Sequence, residues 1–326
     1  MTTVAIPFVR TEASQNPNLR VRDGGDPAEP YMRAMTVAFA SVRRWNPDAD
    51  LHLISNAAPE EDHHRELRRL GVEYKLVPFA HRPPVGFAAR FEASLYLLDA
   101  LGSLEADTTL LIDPDVLCVN SMDALLSHVA DHAAALDMQF PEDEDINGLT
   151  RTQAAALHAA LGESVTLPLH YGGEAYVVPL ALAPAIMARC ESAWTLALSR
   201  NLEGLTKFTT EEHVLSYALR GVPLKTLNDH IRRIWTTHTF RQVDGLEGQL
   251  TLWHLPAEKD RGFNALYGPA TDFGSWFWLA DRGEFLDRCG RAMGFHHRTP
   301  SRLAKDIAGS VVSRARHLGA CRRAHP

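Results

Sequence analysis

The sequence predicts an α/β fold: a Rossmann-like, mainly parallel sheet flanked by helices, with a small helical appendage at the C-terminal end. Two observations carry this. Short, continuous apolar runs alternate with helix-length segments through the first 140 residues, and strands read as unbroken apolar runs when both faces of a sheet are covered. The segments between them repeat apolar residues every three or four positions, the period of an amphipathic helix.

In order, Val4–Val9 reads as the first strand and Tyr31–Arg44 as a helix, with Met32, Met35, Val37, Phe39 and Val42 on its apolar side. Asn46-Pro47-Asp48 is its natural stop. Strand Leu51–Ser55, helix Glu60–Leu70 ended by Gly71, strand Val72–Pro78, helix Phe87–Leu101, and strands Thr109–Ile112 and Ala133–Met138 follow. Farther along, the pattern predicts a strand at Ala175–Pro179, a long helix at Leu182–Ser199, a helix at Glu211–Arg220, and strands at Leu224–Asn228 and near Leu250–His254. The polar stretch Arg10–Pro30 follows the first strand directly, where open α/β sheets bind ligands, and reads either as a loop over a site or as a solvated connection.

The 326 residues, 45% hydrophobic and 22% charged, suffice for one main fold with an appendage. A net charge of −7 argues against a general nucleic-acid binder. That average hides an asymmetry. Residues 291–326 hold eight Lys/Arg against one acid, Asp306, a net of +7 that leaves −14 on residues 1–290. Within that tail Leu303, Ile307, Val311, Ala315 and Leu318 share one face of a basic amphipathic helix over Ser301–Leu318, a candidate either for docking on the acidic body or for weak peripheral contact with anionic membrane. Cys118, Cys190, Cys289 and Cys321 show no paired spacing, the N-terminus lacks a signal-peptide pattern, and no apolar run reaches the roughly 20 residues of a membrane span, so a cytoplasmic protein is expected.

The chemistry sits at Asp113-Pro114-Asp115. Two acids end a core strand, Pro114 biases Asp113 toward extended geometry, and residues two apart on an extended chain point to one side, so both carboxylates can converge on one object. A hard divalent cation, Mg²⁺ or Mn²⁺, with substrate phosphates completing its shell, suits them. The bland alternative is a solvated turn whose acids cap a helix near Asp123, but charge at the end of a core strand calls for a compensating partner.

In this context Leu110-Leu-Ile-Asp-Pro-Asp-Val-Leu-Cys-Val119 resembles the DxD strand of the metal-dependent nucleotide-sugar glycosyltransferases with the GT-A fold, notably the glycogenin and bacterial galactosyltransferase-like group. Further segments are similar in order: the helix opening at Arg90, His170-Tyr-Gly-Gly-Glu-Ala-Tyr-Val-Val178, the acid-led Thr209-Thr-Glu-Glu-His213, and Trp253-His-Leu-Pro-Ala-Glu-Lys259. The group's usual Asn-Ala-Gly turn is replaced by Tyr-Gly-Gly-Glu, and Lys259 stands five rather than six residues after His254. The resemblance implies a catalytic domain over residues 1–260, followed by an aromatic segment and basic helix over 261–326. It also implies a UDP-linked sugar donor, a hydroxyl acceptor, and a divalent metal held by Asp113, Asp115 and His254.

Candidate donor contacts are Pro7, Val9 and Arg10 after the first strand, Arg90 and Asp113 for the phosphates, Gly172 and Gly173 beside the sugar, and Lys259 for the departing diphosphate. Each has an ordinary alternative: Arg90 can pair with Glu92 or Asp99, and His254 is one of 16 histidines. Glu211, Glu174 and Glu212 are the candidate catalytic carboxylates, although acids also suit a helix start through its dipole. The aromatics Tyr267, Phe273, Trp276, Phe277 and Trp278 are either acceptor platform or core, with core favoured. Two competing functions remain. A sugar-phosphate nucleotidyltransferase would carry a Gly-rich loop after the first strand, where no glycine occurs before Gly24. A non-catalytic nucleotide-sugar binding protein is the other.

Overall fold

A computed structural model describes residues 2–11, 28–87, 91–237 and 240–295. Residues 12–27 of the loop expected over Arg10–Pro30, Arg90 and the tail helix lie outside the described residues, and Glu29 and Pro30 belong to the first helix.

The chain runs β1 (Thr2–Phe8), α1 (Glu29–Trp45), β2 (Asp50–Ser55), α2 (Glu61–Arg69), β3 (Val72–Leu76), α3 (Tyr96–Leu101), β4 (Thr108–Ile112), β5 (Val116–Cys118), α4 (Asp123–Val129) and β6 (Ala133–Asp137). A two-residue hairpin of β7 (Asp145–Ile146) and β8 (Leu149–Thr150) leads into α5 (Arg151–Ala160). Then come β9 (Tyr171–Pro179), α6 (Ala183–Leu202), α7 (Glu211–Ala218), β10 (Leu224–Thr226), β11 (Ile231–Arg233), β12 (Leu252–His254), α8 (Asn264–Thr271), α9 (Trp276–Leu279) and α10 (Arg282–Ala292).

Seven strands form one sheet in the order β10-β6-β9-β4-β1-β2-β3. Every pairing is parallel except those of β9, which runs against both β4 and β6. Successive residues of β1 face opposite layers: Val4 and Ile6 join α1 and the late helices, whereas Ala5 joins α3, α6 and α7. Helix α1 is clamped between the sheet and that late segment, which explains its burial on nearly every side. Its hydroxyls on Thr36 and Ser41 donate back to the carbonyls of Met32 and Ala38, so neither hydroxyl is stranded. Pro30 opens it, and it stops at Trp45 because Asn46 precedes Pro47.

Two expectations are corrected in detail. In place of a continuous helix over Phe87–Leu101, the described part is a 3-10 turn at Glu92–Leu95 followed by the short α3, because Phe91 has non-helical backbone angles and Ser94 Oγ donates back to its carbonyl. The strand expected from Ala175 begins at Tyr171, bringing Gly172-Gly173-Glu174 into β9. Phe277 and Phe285 are fully buried beside α1, with Phe277 in core as favoured, while Phe273 is 40% exposed. Among the described residues no helix is long and apolar enough to cross a membrane.

Candidate active site

The second, three-stranded sheet β11-β12-β5 lies where β4 ends, and its register assembles the site. Strand β12 pairs antiparallel to β5, setting His254 opposite Val116, and parallel to β11, setting Arg233 opposite His254. The Asp115 carbonyl accepts from the Leu255 N–H at 3.0 Å, which ties the DxD turn to β12.

Asp113-Pro114-Asp115 is a tight turn rather than the extended segment expected. The Val116 N–H donates to the Asp113 carbonyl at 3.2 Å, and Pro114 occupies the second turn position, where its fixed φ is favourable. Both carboxylates still converge, because the turn folds them around one point. His254 Nε2 lies 3.4 Å from Asp115 Oδ1 and 3.7 Å from Asp113 Oδ2, and one ligand atom from each of the three residues falls within 4.8 Å of the others. Asp115 is 1% exposed, and its buried Oδ1 accepts no hydrogen bond, while Oδ2 accepts from Lys259. An orphaned carboxylate oxygen facing an imidazole nitrogen, in a set of two carboxylates and one histidine, fits Mn²⁺ or a similar divalent ion.

Glu174 enters from β9. Between Ala135 and Leu136 of β6 the pairing jumps from Tyr176 to Gly172, a bulge that frees residues 173–175 from β6 while Ala175 stays paired with Ile112 of β4 and the Glu174 carbonyl accepts from the Asp113 N–H at 3.0 Å. The Glu174 carboxylate is fully buried, bonded to Arg233 and 3.3 Å from His254 Nδ1. The two glycines are explained by the protein's own carboxylates: a Cβ on Gly172 would collide with Glu174 Oε2, and one on Gly173 would stand 2.8 Å from Glu211 Oε1. Glu212 is fully engaged. Its oxygens accept from Gly173 N–H at 3.0 Å, Arg233 at 2.9 Å, Asn147 at 3.0 Å and His170 at 3.1 Å.

Glu211 lines a cavity with Asp113, Ser94, Tyr176, Gly173, Pro7 and Val9. Arg10 is not part of that lining: its N–H donates to Asn56 Oδ1 at 2.7 Å and its guanidinium to Glu60 at 2.9 Å. Lys259 Nζ also sits 5.4 Å from the centre of the Tyr31 ring.

The charge balance separates the five carboxylates. Burial opposes ionisation of Asp115, Glu174 and Glu212. Lys259 and His254 for the first, Arg233 and His254 for the second, and His170 and Arg233 for the third outweigh it and hold all three below the usual carboxylate range. For Asp113 the charges of His254, 3.7 Å away, and Lys259 are outweighed, and among the described residues Glu211 has no cationic partner. Burial, then the charge of Asp115, raises Asp113 to about 7; burial, then the charge of Glu212, raises Glu211 to about 8. Burial disfavours the His254 cation, but Asp115 and Glu174 prevail and raise it to about 9. Among the described residues the protein's own cations only partly offset these two carboxylates, which leaves room for an added positive charge beside them.

Arg233 was not singled out from sequence. Nothing in Ile231-Arg-Arg-Ile-Trp235 marks a site residue; the only signal available was that a glutamate in an otherwise small and apolar strand, Glu174, needs a cation in space.

No family model matches the chain, and no curated protein matches it in sequence. Solved structures do. The galactosyltransferase LgtC, in complex with donor and acceptor sugar analogues, aligns over 94% of this chain and 100% of its own, with 14% identity and a TM-score of 0.50. Mouse xyloside xylosyltransferase 1 aligns over 78% of this chain and 97% of its own at 12% identity and TM-score 0.45. GlyE of Streptococcus pneumoniae TIGR4, a glycosyltransferase, does so over 92% and 66% at 12% identity and TM-score 0.48. The chain thus has the GT-A glycosyltransferase fold, with an Asp-x-Asp and histidine group able to hold a metal at the end of its central strand.

Proposed function

We propose that the protein is a divalent-metal-dependent glycosyltransferase that moves a sugar from a nucleoside diphosphate sugar, UDP-linked, onto a hydroxyl acceptor. The observation that carries this reading is the Asp113–Asp115–His254 group, with an orphaned buried oxygen, which shares Asp113 with the cavity that Glu211 lines. Asp113, Asp115 and His254 would hold Mn²⁺ or Mg²⁺ there, whose charge would offset the negative charge that grows on the leaving diphosphate.

The chain's own residues supply the rest. Lys259, adjacent to Asp115, is within reach of the same diphosphate and adds a second positive charge. Pro7 and Val9, which line the cavity, would offer apolar surface to the nucleobase. Among the three candidate carboxylates, Glu211 is the one that lines the cavity and has no cationic partner among the described residues, so it is assigned to the reacting sugar. With three described cysteines buried and free, the cytoplasm is the proposed compartment.

The test is thermal unfolding with UDP and Mn²⁺, coupled to release of UDP from UDP-sugars. A ligand at 100 times its Kd stabilises the native state by about 2.7 kcal/mol. We expect that stabilisation to vanish in EDTA and in Asp115→Asn. Stabilisation by UDP that ignores EDTA would make the protein metal-independent, and binding without UDP release from any UDP-sugar would make it a binding protein.

A further inference from the structure

The two nitrogens of His254 face carboxylates on opposite sides, Nδ1 without a formed hydrogen bond. Nε2 faces Asp115 Oδ1 at 3.4 Å and Asp113 Oδ2 at 3.7 Å, while Nδ1 faces Glu174 Oε1 at 3.3 Å. Only one neutral tautomer serves a metal on the aspartate side: the proton must sit on Nδ1 and the lone pair on Nε2. A carboxylate beyond Nδ1 selects that tautomer, orients the ring and makes the imidazole a better ligand.

Glu174 is built for such a position. It is completely buried, it lies in the bulge of β9, and Gly172 leaves the space that its Oε2 fills. Arg233 anchors it, and Arg233 is delivered by sheet register, directly opposite His254 on the neighbouring strand. The same guanidinium holds Glu212 at 2.9 Å, so the ring, its carboxylate and the anchor form one braced unit. An unpaired glutamate at this depth would be costly, and Arg233 is what lets it remain ionised behind the ring.

We infer that Glu174, held by Arg233, is the positioning residue that fixes His254 with Nδ1 protonated and Nε2 turned to the metal. This inference rests on the metal reading above and deepens it: Glu174 leaves the list of carboxylates that touch sugar.

The test measures Mn²⁺ affinity directly, by electron paramagnetic resonance of free Mn²⁺ without donor. Four proteins are compared: wild type, Glu174→Gln, the double variant Glu174→Leu/Arg233→Met, and Asp115→Asn. The double variant removes the carboxylate without leaving a buried cation unpaired, and Glu212, which loses Arg233, keeps His170, Asn147 and the Gly173 N–H. We expect it to bind Mn²⁺ about 10–100-fold more weakly. Glu174→Gln, whose amide oxygen can still accept from Nδ1–H, should lose less. In zinc-loaded protein, ring ¹⁵N shifts should report protonated Nδ1 and bound Nε2 in wild type, and lose that uniform state in the double variant. If Asp115→Asn loses Mn²⁺ while the double variant binds as tightly as wild type, Glu174 does not position the ligand and the metal reading survives. If wild type itself binds no Mn²⁺, the metal reading fails and this inference fails with it.

Discussion

Replacing Glu211 with glutamine tests the charge balance of the site through stability alone. Glu211 is raised from the ordinary 4.5 to about 8 by burial first and by the charge of Glu212 second, with Asp113 adding to it. The folded chain therefore keeps a proton that the unfolded chain releases, and native stability falls as pH rises from about 4.5 through about 8. The slope is about 1.4 kcal/mol per pH unit while the two states differ by one proton. Glutamine is nearly the shape of the protonated acid and cannot ionise, so this loss is absent in Glu211→Gln. Between pH 5.5 and pH 8 the variant should gain about 3 kcal/mol on wild type, in a direction opposite to most substitutions at a binding site. The assay is urea unfolding of both proteins at the two pH values, in EDTA so that no cation neutralises Asp113 and Glu211. Parallel stability profiles for wild type and variant would refute the reasoning, since they would mean that Glu211 is already ionised without a cation.

Two other outcomes follow from contacts of the fold. Gly173→Ala should push the Glu211 carboxylate aside, because the new methyl would stand 2.8 Å from Oε1. Sugar transfer is expected to fall about 100-fold with little change in melting temperature, and unchanged transfer would count against Glu211 as the residue on the sugar. Phe285 is fully buried, edge-on to Trp45 at 5.5 Å and with the Arg44 guanidinium 4.5 Å from its ring centre. Phe285→Ala should cost about 3–5 kcal/mol in a single denaturation transition, whereas a separate early transition would mean that residues 264–295 unfold apart from the sheet.

Much of the fold was legible in the linear pattern, because strands covered on both faces and helices with one apolar side impose periods that survive without context. The runs beginning at Val4, Leu51, Val72, Thr109 and Ala133 all became strands, with ends displaced by a residue or two. Asp113 and Asp115 were legible too, since acids closing a buried strand are anomalous without a partner. What the linear pattern could not reach were elements whose burial comes from distant chain. Strand β11 and the hairpin of β7 and β8 are three and two residues long, and helices α8 to α10 interleave aromatics and glycines with charge, so none carries a period of its own.

The site divides along the same line. Residue types that can hold a cation are a local property, and the sequence contained them in view. Which glutamate faces the cavity, which is locked, and which stands behind the histidine depend on a bulge opposite Ala135 and on a register that sets Arg233 beside His254, 21 residues away in the chain. Glu174, Glu211 and Glu212 are chemically one residue type. Only their distances to Arg233, His170 and the cavity separate them, because the free energy of a buried carboxylate is decided by partners in space rather than by neighbours in sequence.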